Sequence, residues 1–337
     1  MSNSAPNSSV SVVIPFFQRE RGLLKRSVSS ILDQEGVSNS QIIVVDDDSP
    51  ISARDELSEL IATTDSITVI EQENAGPGAA RNAALDHIAS DCTYIAFMDS
   101  DDWWESGFLK TAVDALDQGN DLFFCDTQRQ SVEGTRFEWN KQEGLNLTPQ
   151  EHQLLDASLE TYRFDGDFFD YAIVRSNIIS TSALVYRRSS KPELRFNTQL
   201  FNGQDRLFKL SLCQSITRVA FCAKTLVSEG LGVNIFDSAG WGTGKSLTLL
   251  TNYIRLAKCI LATLTLTKAQ RVHVNNQLQE SRYSMVANLM HLIKSKQPIE
   301  WTRIWTTIKI DPLFAVFFLP NVMRLLLAKR SSSPQKT

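Results

Sequence analysis

The chain has 337 residues, enough to bury a full hydrophobic core in one large domain with an extension. A net charge of −4 and an isoelectric point near 5.7 argue against nucleic-acid binding. The five cysteines (Cys92, Cys125, Cys213, Cys222, Cys259) lack C-x-x-C spacing, and the polar start carries no basic and apolar leader; the expectation is reduced, buried thiols, no signal peptide and a cytoplasmic protein.

In chain order, residues 1–9 are Ser/Asn-rich and read as a disordered tail. Val10 to Ile14 reads as a first strand, stopped by Pro15, and Leu23, Leu24, Val28, Ile31 and Leu32 then recur at helical spacing. Ile42 to Val45 is a second strand that ends in Asp46, Asp47 and Asp48. Ile67 to Ile70 is a third, after which Gly76-Pro77-Gly78 opens an Ala-rich helix containing Arg81 and Asn82. Tyr94 to Met98 is a fourth strand, ending in Asp99-Ser100-Asp101-Asp102. Phe108, Leu109, Ala112, Val113 and Leu116 mark another helix, followed by a short strand, Leu122 to Cys125. This alternation over residues 10–125 predicts an α/β fold: a mostly parallel sheet flanked by helices on both faces. Residues 126–150 are polar and aperiodic and read as a loop or insertion.

The two acidic strand ends carry the chemistry. Like charges held together repel unless a cation sits among them, and in open α/β sheets ligands bind at the carboxyl edge of the strands. Side chains two apart on an extended chain point the same way, so Asp99 and Asp101 can converge on one object. A hard divalent ion, Mg²⁺ or Mn²⁺, is held by one or two carboxylates plus substrate phosphates and suits this pair. The plainer alternative is an acidic loop capping the helix that follows.

Four separated segments, Ser11 to Phe17, Ile42 to Ser49, Asn74 to Asn82 and Phe97 to Trp104, resemble in order and spacing the family 2 glycosyltransferases. A fifth, Phe201 to Leu210, resembles the family's Gly-Glu-Asp segment, with Gln204 in place of the Glu and Asp205 kept. The first segment also departs, with Phe17-Gln18 where the family has Tyr-Asn. The resemblance implies a GT-A fold and an inverting transfer from a nucleotide-diphosphate sugar, such as a UDP-sugar, to an acceptor hydroxyl. It further implies that Asp205 is the catalytic base, and that Pro15, Phe17, Asp46, Asp47, Arg81 and Asp99 bind the sugar nucleotide. Asp46 and Asp47 would take the nucleoside, Arg81 the base or diphosphate, and Asp99 with Asp101 the metal. Ser180-Thr181-Ser182 resembles a family segment near the acceptor, and Gly232 to Ile235 followed by Trp241-Gly242 resembles a loop of bacterial members. The domains implied are 10–125 for the nucleotide-sugar half, 126–235 for the acceptor half and 236–337 for a helical, basic extension. The acceptor would be a glycan, free or lipid-linked, in cell-surface polysaccharide synthesis. Two rivals stand beside this reading: a sugar-nucleotide pyrophosphorylase and a non-catalytic binding module.

Two further features belong to the C-terminal third. Ala239 to Ser246 fits a permissive phosphate-loop pattern, but no apolar strand ending in Asp follows it. From residue 251 onward, 13 Lys/Arg face 3 Asp/Glu, leaving about −14 on the rest of the chain. The run Pro312 to Pro320 is too short and interrupted to span a bilayer, yet a basic, apolar terminus suits contact with the inner face of the cell membrane. Two helices packed on the catalytic domain would carry the same pattern.

Overall fold

The computed structural model describes residues 8–35, 40–139, 146–175, 177–232 and 241–331. Most of the expected N-terminal tail and the start of the phosphate-loop pattern lie outside the described residues. Ser9 is held, its carbonyl accepting the Thr93 and Tyr94 N–H groups.

The first five predicted strands are present: β1 (Val10–Phe16), β2 (Ser40–Asp47), β3 (Ile67–Gln72), β4 (Tyr94–Phe97) and, after the two-residue β5 (Trp103–Trp104), β6 (Leu122–Arg129). Helices α1 (Leu23–Leu32), α2 (Ala53–Ile61), α3 (Pro77–Asp86) and α4 (Phe108–Asp117) alternate with them. In α1 the buried residues Leu24, Ser27, Val28 and Ile31 stand at i, i+3, i+4 and i+7, the spacing of one helix face. Later come β7 (Gln153–Asp156), β8 (Thr161–Arg163), α5 (Phe168–Val174), β9 (Leu184–Arg187), α6 (Gln204–Cys213) and β10 (Val219–Glu229).

One sheet takes the order β3-β2-β1-β4-β9-β6-β10-β8-β7, with β5 also paired to β10. The first four strands are mutually parallel, as the alternation predicts. Beyond them β9 runs antiparallel between β4 and β6, and β8 and β7 close that side antiparallel, so the whole sheet is mixed.

Two strand boundaries differ from expectation. Pro15 does not end β1, which runs on to Phe16. The Val13 carbonyl accepts the Met98 N–H, so Pro15, two residues on, turns its missing donor toward the side where β4 has already ended. β6 continues past Cys125 to Arg129 because β10 pairs along it, and there Thr127 is buried and bonded to Glu229. Glu229 is in turn ion-paired with Arg136, inside the stretch that reads as a loop. The core joins β1, β2, β4 and β6 to α1 and α4, with Val12, Ile14, Phe16, Leu24, Ile42, Val44 and Phe108 all fully buried.

The chain divides into a sheet unit (Met1–Thr198 with Phe208–Val233) and a helical unit (Gln199–Leu207 with Asn234–Thr337). The helical unit contains α7 (Gly244–Thr263), α8 (Lys268–Lys294), α9 (Trp301–Ile310) and α10 (Leu313–Ser331). Thr267 and Gln270 form a reciprocal capping box that starts α8. Arg282 of α8 holds Asp311 by two hydrogen bonds, at 2.6 and 2.7 Å, with the Asp311 carboxylate fully buried.

Candidate active site

β1 and β4 run side by side, and past Phe97 the chain turns sharply, with the Asp102 N–H donating to the Asp99 carbonyl at 3.0 Å. β5 then leads away antiparallel to β10. Three carboxylates therefore share one tight turn, and their environments differ. Asp102 is buried: one oxygen accepts the Gly230 N–H at 2.8 Å and the other the Ser182 hydroxyl. Burial, then the charges of Asp99 and Asp101, push its carboxyl well above the usual range. One Asp101 oxygen accepts the Gly232 N–H at 2.7 Å, while the Asp101 carbonyl accepts Nη2 of Arg26 at 2.6 Å. Burial and the neighbouring Asp99 raise the Asp101 carboxyl as well. The Asp99 side chain is 39% exposed and ion-paired on one oxygen with Arg81.

The clamp on this turn is the end of β10 and the two glycines beyond it. A Cβ at Gly230 would lie 2.1 Å from the Asp101 carbonyl oxygen, and one at Gly232 would lie 2.7 Å from the Asp101 Cβ. Neither position has room for a side chain, so both amides reach the carboxylates only because the residues are glycine. Gln18 ties the other motifs together. Its backbone N–H donates to the Ser49 hydroxyl at 3.0 Å and its Nε2 to the Ser100 hydroxyl at 3.0 Å.

Arg81 projects from α3 and is 4% exposed. Its guanidinium meets Asp99 and lies 5.3 Å from the Phe196 ring, while Nε and Nη1 find no partner among the described residues. A buried cation with idle donors beside an acidic turn is matched to an anion with several oxygens, as a diphosphate has. Pro15 and Phe17, at and just past the end of β1, are each partly exposed.

Asp46 and Asp47 are held differently. The Asp46 oxygens accept the Ser49 and Ala53 N–H groups, both at 2.8 Å, fixing the turn into α2. Asp48 takes the left-handed conformation in that turn, φ 56°. Asp47 accepts the Ala75 and Gly76 N–H groups, both at 2.8 Å, and Nε2 of Gln72 at 2.7 Å, which fixes the turn into α3. Both are buried.

Asp205 stands in the first turn of α6 and is partly exposed. Gly203, at φ +77°, precedes that helix, and a Cβ there would lie 2.6 Å from Cδ2 of Leu256. Neighbouring Arg206 donates to Gln277 at 2.9 Å, and burial lowers its pKa. Gln204 is buried. From Phe208 onward α6 belongs to the sheet unit, where Phe208 stacks on Phe196 with ring centres 4.0 Å apart.

Gly230, Gly232, Gln18 and Ser182 hold the acidic turn; Gln18, Ser182 and Gly232 lie in segments singled out in the sequence, but their bonds to the turn are not foreseen there. The signal available for the first pair was Gly-x-Gly at the end of an apolar strand; Ser182 lay within a segment already singled out. At the phosphate-loop pattern, the Gly242 N–H is taken by Asn288 and the Ser246 N–H by the Thr243 carbonyl, so those amides are engaged within the helical unit.

A divalent cation fits the acidic turn on its donor chemistry. Asp101 keeps one oxygen outside the Gly232 bond, Asp99 is partly exposed, and both are hard oxygen donors in a field of like charge. Among the described residues no group of three or more His, Cys, Asp or Glu side chains is arranged to hold a metal ion by itself, so ligand oxygens would have to complete the sphere.

Comparison with known proteins gives the family and the fold. The model of Glycosyl transferase family 2 matches residues 11–191. The succinoglycan biosynthesis protein ExoW of Rhizobium meliloti is 30% identical over 242 residues, 68% of this chain and 71% of that protein. A Campylobacter jejuni GalNAc(5)-diNAcBac-PP-undecaprenol beta-1,3-glucosyltransferase is 24% identical over 203 residues, 59% of this chain and 58% of its own. Among solved structures, S. aureus TarS 1-349 in complex with UDP-GlcNAc superposes with a TM-score of 0.61 at 14% identity, covering 97% of this chain and 93% of that one. The mannosyltransferase PcManGT from Pyrobaculum calidifontis, in complex with GDP-Man and Mn²⁺, gives 0.55 at 16% identity, covering 92% and 86%. The fold is therefore of the kind these enzymes share, a central sheet flanked by helices with a helical C-terminal part.

Proposed function

This chain belongs to glycosyl transferase family 2, and on that premise we propose that it is an inverting enzyme moving a sugar from a UDP-sugar to a hydroxyl of a growing, lipid-linked bacterial glycan. One observation carries the proposal: the Asp99–Asp102 turn, clamped by Gly230 and Gly232, with the buried Arg81 guanidinium at its edge. The names of the relatives support the rest, since ExoW is a succinoglycan biosynthesis protein and the Campylobacter enzyme is named for an undecaprenol-linked glycan.

In this reading Arg81 turns its idle Nε and Nη1 toward the diphosphate, and Asp99 orients that guanidinium while facing the sugar. Phe17, partly exposed at the mouth of β1, stacks on the base without the hydroxyl a Tyr would offer. Asp46 and Asp47 act by fixing the turns into α2 and α3 that border the nucleoside, each of their oxygens accepting a backbone amide. Mg²⁺ or Mn²⁺ on Asp101 and Asp99 would neutralise charge on the departing diphosphate. Asp205 accepts the proton of the acceptor hydroxyl as it attacks the anomeric carbon, a role that rests on its family segment.

The test is a panel of UDP-, GDP- and TDP-sugars, each with Mg²⁺, Mn²⁺ or excess chelator. Melting temperature and donor hydrolysis are read on the purified chain. A UDP-sugar should stabilise the protein and be hydrolysed slowly in a metal-dependent way. If a GDP- or TDP-sugar alone does so, the donor assignment fails; if none does, the nucleotide-sugar reading itself fails.

A further inference from the structure

On α10, Leu313, Val316, Leu319, Met323 and Leu326 recur three or four residues apart, which places them along one side of the helix, and all are exposed. Leu319 is 72% exposed. On α9, Trp301 and Trp305 stand one turn apart and are likewise exposed. The opposite side of α10 is occupied: Phe314 is buried, and the Arg282 guanidinium lies 5.1 Å from the Phe317 ring. One side of the hairpin is thus packed in protein, and the other presents large apolar side chains to the outside. A soluble surface rarely carries such a row without a partner.

The charge around the row identifies the partner. Lys294, Lys296, Arg303, Lys309 and Arg324 are exposed on or beside the same helices. Of the two acids within 291–331, Asp311 is fully buried against Arg282, leaving Glu300 as the exposed one. Exposed Trp and Leu among Lys and Arg is the chemistry of an interface between an anionic headgroup layer and acyl chains. A second copy meeting this face would set positive charge against positive charge.

A groove of about 310 Å³ continues the row, lined by Trp241, Met290, Leu325 and Leu326, with His291 and Lys294 also in its wall. Leu326 belongs to both the row and the groove. No one helix among the described residues is long and apolar enough to cross a bilayer; α9 and α10 reach that length and composition only together, and they are bent by 116° at their junction. The bend lies at Asp311, whose ion pair with Arg282 would be costly to place in hydrocarbon.

We infer that the outer face of α9 and α10 docks the protein on an anionic lipid bilayer, lying in its surface. The experiment is sedimentation of the full chain with vesicles of phosphatidylcholine alone or equimolar with phosphatidylglycerol. Binding to the anionic vesicles alone is expected, weakening as salt rises. The triple variant Val316→Ser, Leu319→Ser, Met323→Ser should lower vesicle affinity by about tenfold or more. Lys294→Gln with Lys296→Gln and Lys309→Gln should weaken binding and flatten its salt dependence. All six side chains are exposed, so both variants should keep the parental circular dichroism and melting temperature. Failure of the parent to bind anionic vesicles at low salt overturns the inference, as does a triple variant that binds like the parent. A dimer in sedimentation velocity that the triple variant abolishes would assign this face to a second copy and overturn it too.

Discussion

One cluster of acids closes β2 and another follows β4, and the two clusters are held differently. At β2, the Asp46 and Asp47 oxygens accept amides of the turns that follow, and both residues are buried. At β4, the acids are crowded against each other: burial and mutual charge push Asp101 and Asp102 upward, and Asp99 stays partly exposed beside Arg81. Satisfied carboxylates build structure, whereas carboxylates held under repulsion are poised for a cation or a proton. An acidic strand end is therefore not a site until the partners of its oxygens are known.

The contrast can be broken or sharpened by substitution. The largest effect should come from Asp101→Asn, which keeps an oxygen for the Gly232 N–H and removes the charge. Transfer should fall about 10³-fold with the melting temperature unchanged or slightly higher, since a like charge has gone; a drop in stability would erase the distinction between the two ends. Asp47→Ala should do the reverse. It strands the Ala75 and Gly76 amides and Nε2 of Gln72, and should cost about 2–4 kcal/mol in denaturant unfolding. Residual activity per folded molecule should stay within a few-fold of the parent; loss of activity without loss of stability would make Asp47 a ligand contact instead. Asp205→Asn should lower kcat about 10²-fold with donor affinity retained, and Gln204→Glu should not rescue it. Parental turnover in the Asn variant would move the base elsewhere. Smallest, Arg81→Gln should raise the donor KM about tenfold by removing a charge-assisted contact to the diphosphate. An unchanged KM would leave Arg81 as a packing partner of Asp99 and Phe196.

The β2 and β4 ends were equally visible in the sequence because each is an apolar run closed by carboxylates. The parallel half of the sheet was legible for the same reason: Val10 to Ile14, Ile42 to Val45, Ile67 to Ile70 and Tyr94 to Met98 are β-formers separated by helical periodicity. The antiparallel half was not. β7 and β8 are short and partly exposed, and β6 hides its last four residues behind polar Asp126 and Thr127, which are buried only because β10 lies alongside. Pro15 misled because a proline usually ends a strand, and only the early end of β4 makes it harmless. The bonds of the clamp were not legible, although Gly232 lay in a family-like segment, because Gly230 and Gly232 gain meaning from a turn well over a hundred residues earlier.

That separation has a consequence for how the enzyme comes into being. The bonds from Gly230 to Asp102 and from Gly232 to Asp101 join positions 128 and 131 residues apart in the chain. During synthesis the parallel half of the sheet emerges first, carrying three acids in one turn with nothing yet to restrain them. Only when β10 has paired with β5 and β6 do the two amides arrive. A β10 displaced by a single residue would bring a side chain, not a bare glycine, against the Asp101 backbone. The acidic turn is thus proofread by strand registry: a chain truncated before Val219, or paired out of step, would keep the three acids but lack the two amides that grip them.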